Sequence, residues 1–256
     1  MKRKNYNKWF TFFNFVLVVV LTCPAVAGPK SQGHVDNHPP YQRKPQAQRL
    51  SFDPFHKNDP SSHPRFLLNP QVQHQAGQAY TEETIREVVN HSRPIQTQSD
   101  YNHLAIKDNT SKQTVGLMQI YHARHGQVFQ ETLGKAGKLD ANTKAVGFVI
   151  DPAHQNKGYA TDAVKTVATE LFTQEGASRL TATVQPDNTA SKRVLEKAGF
   201  KQKFSSIPDS EYQGGRSDVY VLSKKRWQKN EATRDGSTAT PDKASPPTYV
   251  PAAFDH

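Results

Sequence analysis

The chain has one cysteine, Cys23, and only two methionines and two tryptophans in 256 residues, so a disulfide framework and a thiolate-rich metal site are both excluded. It has no internal repeat and no aromatic-and-arginine repeat of the kind that stacks bases. His34, His38, His56, His63 and His74 fall in polar surroundings without a paired carboxylate or cysteine at ligand spacing, so no metal ion is expected. The net charge of +10, with a pI near 9.6, is spread along the whole chain rather than gathered in a run, and it reads as a solvated surface. Nucleic acid is therefore not an expected partner.

What is present begins with a leader. Lys2, Arg3, Lys4 and Lys8 precede an apolar stretch over residues 9–21, and Ala25-Val26-Ala27 follows with the small residues a signal peptidase needs. Residues 1–27 are expected to be a signal peptide cut after Ala27, with export of the mature chain. The alternative is an uncleaved membrane anchor, which Asn14 and Pro24 weaken. Cleavage leaves no cysteine, and hence no thiol nucleophile. Residues 28–63 are rich in Pro, Gln, His, Asn and Lys without a hydrophobic period and are expected to be a disordered linker; residues 228–256 read as a disordered tail. One domain over residues 64–227 remains.

Within it, Arg65-Phe66-Leu67-Leu68 reads as a short first strand, and Thr81-Glu82-Glu83 opens a helix that carries Ile85, Val88 and Val89. Residues 103–106 and 114–121 flank the polar turn Asp108-Asn109-Thr110-Ser111 as a hairpin. Residues 122–143 have no sustained period and read as a long loop. A strand over 146–150 ends at Asp151-Pro152, and a helix then places Val164, Val167, Ala168, Leu171 and Phe172 on one stripe before Gly176. A strand follows over 180–184, a second helix runs from Asn188 to Gly199, and strands over 200–204 and 217–222 close the pattern. Strands joined by a helix are expected to be parallel neighbours.

Between the 146–150 strand and its helix lies Gln155-Asn156-Lys157-Gly158-Tyr159-Ala160. A glycine-bearing turn that delivers backbone N–H groups onto a helix N-terminus, beside a lysine, is an anion site suited to a pyrophosphate. Taken singly, Gly158 could simply open a helix, and Asn188 and Ser191 could be an ordinary N-cap and a first-turn serine.

Taken together, Asp151-Pro152, Gln155 through Thr161, Asn188-Thr189-Ala190-Ser191 and Val194-Leu195-Glu196-Lys197-Ala198-Gly199-Phe200, in this order and spacing, resemble the GNAT N-acetyltransferase superfamily, and its branch of ribosomal-protein N-terminal acetyltransferases in particular. The resemblance covers residues 114–227 and fades over 65–104. It implies an α/β fold with a mixed, mostly antiparallel central sheet, a parallel pair of strands that splay apart, and flanking helices. Acetyl-CoA is then the implied co-substrate and a primary amine the acceptor, a protein N-terminus or lysine, with a small amine such as a polyamine or amino sugar as the rival. The diphosphate would sit on Gln155, Asn156, Lys157, Gly158, Tyr159 and Ala160, and the arm along Phe148, Val149 and Ile150 opposite residues 182–185. Asn188 would meet the arm, and Arg193, with Lys192, the terminal phosphate.

The resemblance further implies direct transfer without an acyl-enzyme. Ser191 is the first candidate proton donor to the departing thiolate, with Tyr212 or Tyr220 behind it. Related sequences often carry a glutamate base where this chain has Ala145, so His122, His125 and Asp140 in the preceding loop stand as substitutes, with solvent as the last resort. A leader on an acetyl-CoA enzyme sets export against the compartment where that thioester is made. A non-catalytic exported CoA-binding module is the alternative outside enzymes.

Overall fold

A computed structural model describes residues 18–19, 49–59, 63–76, 79–95, 101–210 and 215–236. Its strands are β1 (Val18–Val19), β2 (Leu50–Asp53), β3 (Tyr101–Asp108), β4 (Thr114–His122), β5 (Thr143–Ile150), β6 (Arg179–Val184), β7 (Lys201–Pro208) and β8 (Arg216–Ser223). Its helices are α1 (Pro70–Ala76), α2 (Glu82–Asn90), α3 (Gln127–Phe129), α4 (Tyr159–Thr173), α5 (Thr189–Lys197) and α6 (Lys224–Gly236). The sheet order is β2-β3-β4-β5-β6-β8-β7, with β1 beside β5. Within that seven-strand path β5–β6 is parallel and the remaining pairs are antiparallel. This is the mixed, mostly antiparallel sheet with flanking helices that the resemblance implied.

The two faces of β5 go to different neighbours, as strand alternation requires. Val146, Phe148 and Ile150 join the stripe of α4 in one core with Leu180, Leu195 and Phe200. Phe148, Phe172 and Leu180 have no exposed surface, and burial of each contributes about 2 kcal/mol of transfer free energy. On the other face, Val149 packs with Ala105, Leu117 and Val88 under α2, whereas Ala145 packs with Tyr121, Phe129 and Leu133.

Four expectations need correction. The sheet starts at Leu50, inside the stretch expected to be a linker: Leu50 pairs with Asp108 and Phe52 with Ile106, so β2 owes its form to pairing with β3 rather than to its own pattern. Arg65–Leu68 is a 3-10 turn rather than a strand, because Pro64 and Pro70 bracket it and Leu67 alone is buried. The helix α5 does not join neighbouring strands, since β8 inserts antiparallel between β6 and β7. Finally, α6 runs into the stretch read as a tail, with Trp227 stacked on Phe172 at 5.3 Å. The loop over 122–143 contains a 3-10 turn, α3 and a π-turn at Gln130–Gly134.

Candidate active site

The site is built where β5 and β6 part. They pair in parallel only from Thr143↔Arg179 to Ala145↔Thr181, and beyond Ala145 the two strands are no longer hydrogen-bonded to each other. The open edge runs from Val146 to Ile150, about 16 Å of backbone at the usual rise per residue. The edge at Phe148 and Val149 is taken by β1, whose Val18 and Val19 lie parallel to them. A parallel extended segment is thus accommodated in the gap, and its backbone groups face those of β5.

At the C-terminal end of that edge, Asp151 caps a 3-10 turn through the Ala153 amide and the chain enters the glycine turn. Asn156 has φ 60° and Gly158 φ 82°, two left-handed residues around Lys157, which turns successive amides toward one side. The first backbone bond of α4 runs from Asp162 N–H to the Gly158 carbonyl, so the amides ahead of it are not consumed by the helix. Helix dipole and free amides together make this the anion-binding end of the gap. Lys157 is exposed, with Nζ 3.2 Å from the Ala153 carbonyl, and Gln155 is buried, its amide donating to the Ile150 carbonyl at 3.0 Å.

Arg49, which the sequence reading passed over, braces this turn. Its guanidinium donates to the Lys157 carbonyl at 2.8 Å and to Asp162 at 2.6 Å, and it stacks over the Tyr159 ring. Burial opposes its charge, but the bonds to Asp162 and Tyr159 outweigh that and raise its pKa. Tyr159 donates its hydroxyl to Asp108, so the Asp108 carboxyl is held below its ordinary range and the phenol is pushed up. The turn is therefore tied to β2 and to the β3–β4 hairpin. Tyr159 and Ala160 are themselves buried and act as anchors.

The remaining candidates divide. Asn188 caps α5, its Oδ1 accepting from the Ser191 amide at 3.0 Å, and Ser191 is fully buried in that first turn, just beyond the C-terminal end of β6. Both stand at the same end of the sheet as the glycine turn. Arg193 is exposed on α5, but Lys192 is held by Asp218 at 2.7 Å and by the Pro186 carbonyl. Tyr220 packs with the α4–α5 core, and its hydroxyl lies 3.5 Å from Glu196 and 3.4 Å from Gln202; burial, then Glu196, push it up to about 12. Tyr212 lies outside the described residues.

The three loop candidates for the base do not gather at the gap. His122 contacts the Ala141 carbonyl at 3.1 Å and Lys144 Nζ at 2.9 Å, which leaves its ring nitrogens committed. His125 sits edge-on to His122 at 6.3 Å. Asp140 lies at the paired end of the strands; burial opposes its charge, but Ser178, Thr143 and the Asn142 amide outweigh that and hold its carboxyl low. A carboxylate so stabilised is a weak base.

A further polar feature lies on the α2 face, between its two apolar clusters. The register rows across β3, β4 and β5 are Ala105–Leu117–Val149, His103–Gln119–Gly147 and Tyr101–Tyr121–Ala145. The outer two are apolar or aromatic; the middle one is polar and ends at the parting of β5 and β6. His103 is 1 % and Gln119 4 % exposed, and their side chains meet at 3.1 Å. A glutamine at the centre of the apolar run of β4 was the signal available in the sequence.

The family model described as "Acetyltransferase (GNAT) domain" matches residues 49–201, more than half of the chain, and starts at Arg49 and β2. The Bacillus subtilis (strain 168) protein named "Probable N-acetyltransferase YjcK" is 38% identical over 80 residues, 31% of this chain and 44% of that protein. A second from the same organism, "Uncharacterized N-acetyltransferase YnaD", is 37% identical over 62 residues, 24% of this chain and 36% of that protein. The chain thus spans less than half the length of these curated relatives. Among solved structures, a GNAT-family acetyltransferase from Bacillus anthracis superposes with a TM-score of 0.54 at 22% identity, covering 69% of this chain and 96% of that one. Aminoglycoside acetyltransferase AAC(6')-Ib, solved in complex with coenzyme A, gives 0.54 at 17% identity over 65% and 90%. These two superpositions show a shared fold.

Proposed function

We propose that this chain, which belongs to the GNAT acetyltransferase family, moves an acetyl group from acetyl-CoA to a primary amine of a protein, an N-terminus or a lysine. The observation that carries the reading is the gap beyond Ala145↔Thr181 with the left-handed turn at its outer end. The amides of residues 156–161 take the diphosphate, with Lys157 and Arg193 as mobile counter-charges. The arm then lies along residues 146–150, bonded to strand backbone as β1 is, and its acyl end reaches the parting near Gly147.

In the transfer, the neutral amine attacks the thioester carbon, strand N–H groups stabilise the oxyanion, and the C–S bond breaks as the amide forms. The acceptor nitrogen loses a proton to solvent, since His122 and Asp140 are already committed. The departing thiolate takes a proton, with Ser191 as the donor at that end of the sheet.

The rival acceptor is a small polycation. Against it stands a cleft of about 510 Å³ beside the Ala145 cluster, lined by Leu133 and Val221 and by Lys138, Arg179, Lys201, Lys203 and Arg226, with no carboxylate among the described residues of its lining. A polyamine that enters by this cleft is repelled. Calorimetry with coenzyme A, followed by acetyl transfer to a peptide and to a diamine, tests both parts; absence of heat, in wild type as in Gly158→Glu, removes the site.

A further inference from the structure

We propose that the row His103–Gln119–Gly147 recognises a neutral group that both donates and accepts a hydrogen bond, next to the reacting amine of the acceptor, and that this group is a peptide amide. The proposal rests on the acetyltransferase reading of the gap.

The row has a defined place. It is the middle one of three on the α2 face, between the cluster of Ala105, Leu117 and Val149 and that of Tyr121, Ala145 and Phe129, and it ends at the first glycine past the last β5–β6 pair. Gly147 adds no side chain to either cluster. The opposite face of β5 is covered by α4, so an acceptor that reaches the row does so from this side, and His103 and Gln119, buried in the free protein, must be uncovered as it binds.

The chemistry follows from what the pair leaves open. Gln119 and His103 share one contact, Nε2 to Nε2, while His103 Nδ1 and Gln119 Oε1 are buried without a hydrogen-bond partner. If the amide donates, the imidazole is protonated on Nδ1, and the two atoms left without a partner are a donor, Nδ1–H, and an acceptor, Oε1. If the amide is turned over so that Oε1 accepts from Nε2–H, they are an acceptor, Nδ1, and a donor, the amide NH2. Either way the row presents both a donor and an acceptor and no charge. Burial pushes the His103 imidazole down to about 3, with His91 adding to the effect, so it stays neutral. A second ammonium would satisfy only the acceptor and strand the donor. An amide satisfies both, and every polypeptide carries one within two bonds of its α-amine carbon.

Substrate and protein are altered in turn. With the full chain and saturating acetyl-CoA, a short peptide whose first amide is replaced by an ester, losing its N–H, is expected to be about ten- to a hundred-fold poorer in kcat/KM than the parent, chiefly through KM. Removing both polar side chains, in His103→Leu with Gln119→Leu, is expected to erase that difference whichever way the amide is turned, with the KM for acetyl-CoA unchanged. Indifference of the wild type to the ester overturns the proposal and needs no variant to fold. An amino sugar outrunning the peptide overturns the choice of amide over hydroxyl. Calorimetry of the coenzyme A complex with the peptide separates the two readings. Discrimination against the ester in binding with no turnover upholds the row and removes the acetyltransfer; turnover without discrimination does the reverse.

Discussion

Arg49 holds its guanidinium 4.3 Å above the centre of the Tyr159 ring, joining the residue before β2 to the first residue of α4. The same group reaches Asp162 and the Lys157 carbonyl, so three features of the glycine turn share one cation. Its side chain is 39% exposed, which screens the ion pair, and Arg49→Ala is expected to cost only about 1 kcal/mol of stability. The larger effect falls on the turn: coenzyme A binding weakens about ten-fold, because amides must be ordered as they bind. Arg49→Lys does not restore it, since an ammonium cannot stack and bridge two acceptors in one plane. Calorimetry on both variants, beside a denaturant curve, checks this.

Gly158 needs its left-handed backbone more than its space. A Cβ there would sit 3.6 Å from Arg49 and 4.0 Å from Asp162, ordinary contacts, so the cost of Gly158→Ala is conformational, about 1 kcal/mol. Gly176, at φ 65° with nothing near its Cβ position, provides the control. Both alanine variants are expected to lose similar stability in urea, but only Gly158→Ala weakens coenzyme A, as its turn relaxes away from the geometry that aims the amides. Equal affinity in the two variants would detach the turn from the nucleotide.

Local signals carried most of what was legible. The strand over 146–150, its turn and α4 show themselves through an apolar run, a glycine ahead of a helix and a 3.6-residue stripe, all within one stretch of chain. The elements that escaped are stabilised from afar. Leu50–Asp53 has four residues and a flank of Gln and Pro, and it becomes a strand through β3. The placement of β8 between β6 and β7 depends on pairing partners, which no window of sequence contains. Arg49 belongs to the same class: its three contacts are over a hundred positions away. The His103–Gln119 pair was half visible, because a polar residue inside the apolar run of β4 is a local anomaly, whereas its partner on β3 required the register.

His103 sets a stability dependence on pH. Its imidazole titrates near 6.5 when exposed and is driven down to about 3 in the fold, so the folded state binds fewer protons below pH 6.5. The associated stability is complete above that value and is lost as the pH falls from 6.5 toward 3. By pH 5 the loss relative to pH 8 is about 2 kcal/mol. His103→Gln is expected to remove that slope while lowering stability at pH 8, and urea midpoints for both proteins at pH 5 and 8 measure the difference. Parallel slopes would mean that the imidazole charges without cost.

β1 covers part of the open edge of β5. Val18 and Val19 pair with Phe148 and Val149, the same backbone groups that the arm of acetyl-CoA is proposed to use. Two occupants of one edge compete, and the apparent affinity falls by the fraction of molecules in which β1 is seated. Removing residues 1–27 is therefore expected to tighten acetyl-CoA binding by about five-fold or more. A full chain with Val18→Pro and Val19→Pro should match it, because proline cannot donate to the ladder. Titration of the three proteins under one set of conditions decides the matter. Equal affinities would show that β1 leaves the edge freely, and the gap would then be open in the full chain without any cut at Ala27.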